Sequence, residues 1–164
     1  MAKPVRIVSW NINSVRLPAP NVEAFVAAEK PDVICLQETK CQNAEFPLKA
    51  FKEMGLGHVV LRGQRGGHAG VAIASRLPLE EVDTPDLCRE GHARVIAARL
   101  KSGLEIHNIY LPAGPPPISM RATPASFSSK LRTASEEAKG SKVILDMFSP
   151  ALLIHLPIFF MEET

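Results

Sequence analysis

The chain has 164 residues, 46% hydrophobic and 22% charged, the make-up of one soluble domain able to bury a core. Lys plus Arg number 19 and Asp plus Glu 17, so the net charge of +2 is too small to announce a nucleic-acid partner, and any basic surface must be local. Three cysteines (Cys35, Cys41, Cys88) without a C-x-x-C pair argue against a disulfide framework or a zinc ribbon and fit a reducing cytoplasm.

Residues 5–10 form the first predicted strand, ending in Asn11-Ile12-Asn13. Apolar Val22, Phe25 and Val26 predict a short amphipathic helix over 21–29, its start delayed by Pro18 and Pro20 and its end set by Pro31. The run Pro31-Asp-Val-Ile-Cys-Leu-Gln-Glu38-Thr-Lys40 follows. Val33 to Leu36 are four apolar residues in a row, too few for a helix, and read as a strand covered on both faces. Strand, helix and strand make a βαβ unit with parallel strands, so Asn11 and Glu38 emerge at one sheet edge. Ligands of open α/β sheets bind at that edge. A carboxylate there is costly unless a cation compensates it. Two alternatives stand: Glu38 and Asn11 as hard oxygen ligands of Mg²⁺ or Mn²⁺, or Glu38 paired with Lys40.

The runs Ile7-Val-Ser-Trp-Asn-Ile-Asn-Ser-Val-Arg16 and Pro31 to Lys40 closely resemble the opening of exodeoxyribonuclease III and its abasic-site endonuclease relatives. The resemblance implies that Asn11 and Glu38 bind the catalytic divalent metal.

Residues 46–55 predict a second helix, with Pro47 in its first turn and Gly55 at its stop. Residues 58–61 and 70–74 read as strands joined by a glycine-rich loop, which is either a plain hairpin loop or a DNA-facing one using Arg65 and His68. The run Val71-Ala-Ile-Ala-Ser-Arg-Leu-Pro-Leu79 continues the resemblance, and 83–91 reads as a charged loop. Residues 93–100 and 104–110 are two strands linked by Lys101-Ser-Gly103. By resemblance Arg94 matches an arginine near the phosphate site. Tyr110-Leu-Pro-Ala-Gly114 is similar to the family's Tyr-x-Pro-x-Gly, which places Tyr110, the only tyrosine, at the active site. Asn13 and Arg94 are the DNA-binding candidates.

After Gly114 the composition changes: Pro115-Pro-Pro117 opens a Ser/Thr/Ala-rich stretch, and 129–139 is a weakly patterned helix. Val143-Ile-Leu-Asp-Met-Phe-Ser-Pro150 faintly resembles the family's Gly-Asp-x-Asn-x-x-Pro segment, with Asp146 as a third polar group at a strand end and a catalytic candidate beside Tyr110. The apolar residues 151–161 are interrupted by His155 and Pro157 and read as a core-seeking or aggregation-prone tail with no membrane partner.

The fold expected from the resemblance is α/β, the N-terminal half of a four-layer sandwich with a mixed sheet. Residues 1–114 carry that half and 115–164 a divergent tail. The implied reaction is Mg²⁺- or Mn²⁺-dependent hydrolysis of double-stranded DNA, at abasic sites or 3′ ends. The family's Asp–His general base has no counterpart, since no histidine here follows an aspartate. General acid–base catalysis contributes about 10²–10⁴-fold, so turnover should be impaired. The alternative is a non-catalytic nucleic-acid- or protein-binding remnant of the fold.

Overall fold

The structure is a computed structural model, and it describes residues 4–16, 19–64, 69–84, 91–112, 142–149 and 158–161. Arg65, His68, Cys88 and the helix expected at 129–139 lie outside the described residues.

The elements in chain order are β1 (Val5–Asn11), α1 (Ala19–Glu29), β2 (Val33–Gln37), a 3-10 turn (Asn43–Glu45), α2 (Leu48–Glu53), β3 (His58–Arg62), β4 (Val71–Ser75), β5 (Leu79–Val82), β6 (Val95–Leu100), β7 (Glu105–Pro112), β8 (Lys142–Ser149) and β9 (Ile158–Met161). They build two mixed sheets, β3-β4-β2-β1-β9 and β5-β6-β7-β8. β1 and β2 are parallel, with Asn11 opposite Gln37, which is the βαβ unit expected from the sequence.

Every residue of β2 and β4 is buried, and the strand period sorts them into two cores. Ile7, Val33, Cys35, Val71 and Ile73 meet Ile96, Ala98 and Ile106 between the sheets. Val8, Trp10, Ile34, Leu36, Ala72 and Ala74 meet Val22 and Val26 of α1 and Phe51 of α2. Helices, first sheet and second sheet therefore form three successive layers. Ile73 lies fully buried in the inter-sheet core. Ile73→Ala is expected to cost about 2–5 kcal/mol, read as a lower urea midpoint with unchanged m.

Three boundaries differ from expectation for local reasons. α1 starts at Ala19 and takes Pro20 into its first turn, where the missing N–H needs no partner. The helix expected over 46–55 is shorter: the 3-10 turn ends before Pro47, and α2 stops as Gly55 adopts φ +83 and its N–H bonds Lys52 O. β5 pairs antiparallel with β6 where no strand was expected. Its Glu80 and Glu81 are exposed, charged residues of an edge strand, and they hide its alternation.

β8 pairs with β7 in parallel along its whole length, and β9 pairs with β1 antiparallel, so segments beyond residue 114 close an edge of each sheet. No helix among the described residues is long and apolar enough to cross a membrane.

Candidate active site

At the carboxyl ends of β1 and β2 the backbone is laced across five segments. Ile12 N–H bonds Gln37 O at 3.1 Å, Val15 N–H bonds Thr39 O at 3.0 Å, and Thr39 and Lys40 N–H bond Gly70 O and Ala69 O, both at 3.1 Å. Gly70 N–H continues to Ala93 O at 2.9 Å, and Tyr110 N–H reaches Arg94 O at 2.8 Å. Asn13, Ser14, Glu38 and Lys40 all have positive φ, at 51°, 126°, 53° and 50°. Such backbone persists only where its surroundings over-determine it, and this lacing supplies the determination.

Glu38, only 4% exposed, is the hub. Its Oε1 accepts from Asn11 Nδ2 at 2.9 Å and from the Tyr110 hydroxyl at 2.7 Å. Its Oε2 lies 3.0 Å from Lys40 Nζ. Lys40 Nζ also donates to Asn13 Oδ1, and Asn13 N–H returns to Asn11 Oδ1 at 3.1 Å. Of the two alternatives read from the sequence, the Lys40 pairing is present, while Asn11 meets Glu38 through its Nδ2 and turns its Oδ1 to Asn13 N–H.

Arg94 stands over the Tyr110 ring, its guanidinium carbon 5.5 Å from the centroid, a cation–π distance. Nη2 is 3.4 Å from His92 Nδ1, while Nε and Nη1 are buried without a hydrogen-bond partner among the described residues. Buried unpaired donors on a cation are costly, and an anion at this edge would satisfy them. Asp146 sits within β8 opposite Ile109, one register step before the Tyr110–Met147 pair, and not at the strand's end.

Burial raises the Tyr110 pKa above the phenol's usual value, the hydrogen bond to Glu38 and that carboxylate's charge push the same way, and Arg94 opposes them. The folded state therefore holds the proton more tightly than the unfolded chain. This contribution is present in full below about pH 10 and is lost as pH rises further, at up to about 1.4 kcal/mol per pH unit. Urea midpoints at pH 8 and pH 11 should differ more for the native chain than for Tyr110→Phe. The buried Cys35 thiol, raised by desolvation, adds a loss of the same sign to both.

By type, one carboxylate and one amide oxygen are hard donors of the kind Mg²⁺ takes, but both Glu38 oxygens already accept from protein donors, and among the described residues no group of three or more His, Cys, Asp or Glu is placed to hold a metal ion. Sequence reasoning missed Asn108, which lies under the site, fully buried. The signal available was an amide two residues before Tyr110 in an otherwise strand-like run.

Residues 8–144 match the Endonuclease/Exonuclease/phosphatase family. Exodeoxyribonuclease III of Haemophilus influenzae is 31% identical over 131 residues, 77% of this chain and 47% of that protein. The 3'-5' exonuclease NExo of Neisseria meningitidis superposes with a TM-score of 0.69 at 29% identity, over 88% of this chain and 57% of that one. An AP endonuclease from Archaeoglobus fulgidus gives 0.67 at 29% identity, over 87% and 56%. The chain thus spans about half the length of these relatives. The matched span and the two-sheet fold carry the same conclusion: this chain belongs to the Endonuclease/Exonuclease/phosphatase family.

Proposed function

We propose that the chain is a DNA repair nuclease of the exodeoxyribonuclease III type, hydrolysing phosphodiesters of double-stranded DNA at abasic sites or 3′ ends. The observation that carries this reading is Glu38, which holds Asn11 and the Tyr110 hydroxyl on one oxygen at the carboxyl edge of the sheet. Asn11 and Glu38 would hold Mg²⁺ or Mn²⁺. A divalent ion bound there neutralises charge on the phosphate and the leaving oxygen. Arg94 offers two unpaired buried N–H groups to a phosphate oxygen, and Tyr110 directs its hydroxyl into the same edge. Asn13, exposed beside Asn11, is proposed as a DNA contact, and Asp146 as a further polar group on the strand next to Tyr110. Free Cys35 and Cys41 accord with a reducing compartment, proposed as the cytoplasm.

The Lys40–Glu38 pair favours a second reading, a non-catalytic nucleic-acid-binding remnant in which the lysine replaces the metal. Mn²⁺ titration by calorimetry separates the two. On the nuclease reading the native chain binds Mn²⁺, and Glu38→Gln weakens binding by more than the roughly 10–100-fold typical of an outer-shell change. Lys40→Met should bind more tightly than the native chain, because the ion no longer competes with a tethered ammonium. No Mn²⁺ binding by either the native chain or Lys40→Met would favour the remnant.

A further inference from the structure

The Asn108 side chain, buried on β7, joins the two sheets at one point. Its Nδ2 donates to Leu36 O on β2 and to Ala72 O on β4, both at 2.9 Å, spending both amide hydrogens. Its Oδ1 accepts from Gln37 Nε2 at 2.6 Å, and that nitrogen also reaches Ser9 Oγ on β1 at 3.0 Å. Two strands of the first sheet thus bond one side chain of the second directly, and a third, β1, is tied in through Gln37.

Away from Asn108 and the Tyr110–Glu38 bond, the inter-sheet core is built on apolar residues such as Ile73, Ile96 and Ile106. Apolar burial is non-directional, so it leaves one sheet free to settle over the other by small slides. A hydrogen bond weakens steeply with angle and distance and does not allow this. The clamp's two halves are sequence neighbours of the site: Gln37 directly precedes Glu38, and Asn108 lies two residues before Tyr110. Residues i and i+2 of a strand share a face, so the clamp and the Tyr110 hydroxyl project toward the same sheet, about 7 Å apart along β7.

We infer that Asn108 is a positioning residue, whose clamp on Leu36, Ala72 and Gln37 sets the inter-sheet register that brings the Tyr110 hydroxyl onto Glu38. Its functional value rests on the nuclease reading, but its test needs no turnover.

Tyr110 is the only tyrosine, so the tyrosine ring doublet in an ultraviolet resonance Raman spectrum reports one phenol's hydrogen bonding without ambiguity. The reference for a lost bond is Glu38→Ala. Asn108→Leu should shift the doublet's intensity ratio most of the way to that reference. Asn108→Ser, too short to span both carbonyls, should shift it part of the way. Ile106→Val removes a methyl from the same strand's buried face and should leave the ratio unchanged while lowering stability. Trp10 fluorescence, from the only tryptophan, verifies that each variant is folded. A native ratio in either folded Asn108 variant overturns the inference, as does an equal shift in Ile106→Val. If neither Asn108 variant folds while Ile106→Val does, Asn108 is a folding determinant and the positioning role is rejected. Failure of Mn²⁺ binding or nicking, with the shift observed, rejects the nuclease reading and leaves the clamp standing.

Discussion

Gly70→Ala is expected to lose about 2–5 kcal/mol of stability and to dismantle the site. Gly70 has φ +95, where an L-residue incurs roughly 1–2 kcal/mol of backbone strain. A Cβ built there would lie 2.2 Å from Thr39 Oγ1 and 3.3 Å from Lys40 N, and crowding of this kind costs about 1–3 kcal/mol. Thr39 cannot retreat freely, because its N–H is bonded to Gly70 O and its carbonyl to Val15 N–H. Relief must therefore come from the segment carrying Glu38 and Lys40. Gly103→Ala is the internal control: φ is +92, almost the same, but nothing lies within 4 Å of the new Cβ. It should show the backbone strain alone, about 1–2 kcal/mol. Urea denaturation of the two variants measures the difference. Equal losses would mean that the close approach of Thr39 is relieved at no cost.

The site was legible where the sequence breaks its own pattern at a strand's end. Glu38 follows four apolar residues and so had to be either compensated or functional, and the structure puts it against Asn11, Lys40 and Tyr110 together. The two-faced burial of β2 was legible for the same reason, since no residue of its apolar run can face water. Asn108 was not legible. One amide in a strand reads as a solvent-facing position, and only the second sheet turns that position inward onto Leu36 and Ala72. β5 escaped because its two apolar residues, Leu79 and Val82, are three apart around Glu80 and Glu81, which gives neither a run nor an alternation. The strained turn at Asn13, Glu38 and Lys40 escaped too, since positive φ in residues other than glycine is imposed by tertiary hydrogen bonds and not by local preference. The resemblance supplied Tyr110 and Arg94, which pattern alone would have assigned to packing and to surface.

Incubated with Mg²⁺ and an abasic-site duplex, this 164-residue chain is expected to nick about 10²–10⁴-fold more slowly than a full-length exodeoxyribonuclease III. Charge stabilisation is assigned in this proposal to a cation held by Asn11 and Glu38 and to Arg94, whose Nε and Nη1 are unpaired among the described residues. Proton removal from the attacking water is the step without a clear owner. The Tyr110 phenol is held protonated by burial and by Glu38, so it is not a phenolate that could take the water's proton. Lys40 pairs with Glu38 and is a donor, and no histidine in the sequence follows an aspartate to form the family's base. Asp146, on the strand beside Tyr110, is the remaining carboxylate proposed for the task. The assay uses matched abasic and intact duplexes, with Glu38→Gln and Asp146→Asn beside the native chain. Glu38→Gln should fall to background, because the carboxylate proposed to hold the metal is gone. A further drop in Asp146→Asn would give that residue the base's role, and an unchanged rate would remove it from the mechanism. Native turnover at the full-length rate, lost in Glu38→Gln, would mean that the site lacks nothing and that water deprotonates without a dedicated base. Turnover unaffected by Glu38→Gln would place the activity outside this site.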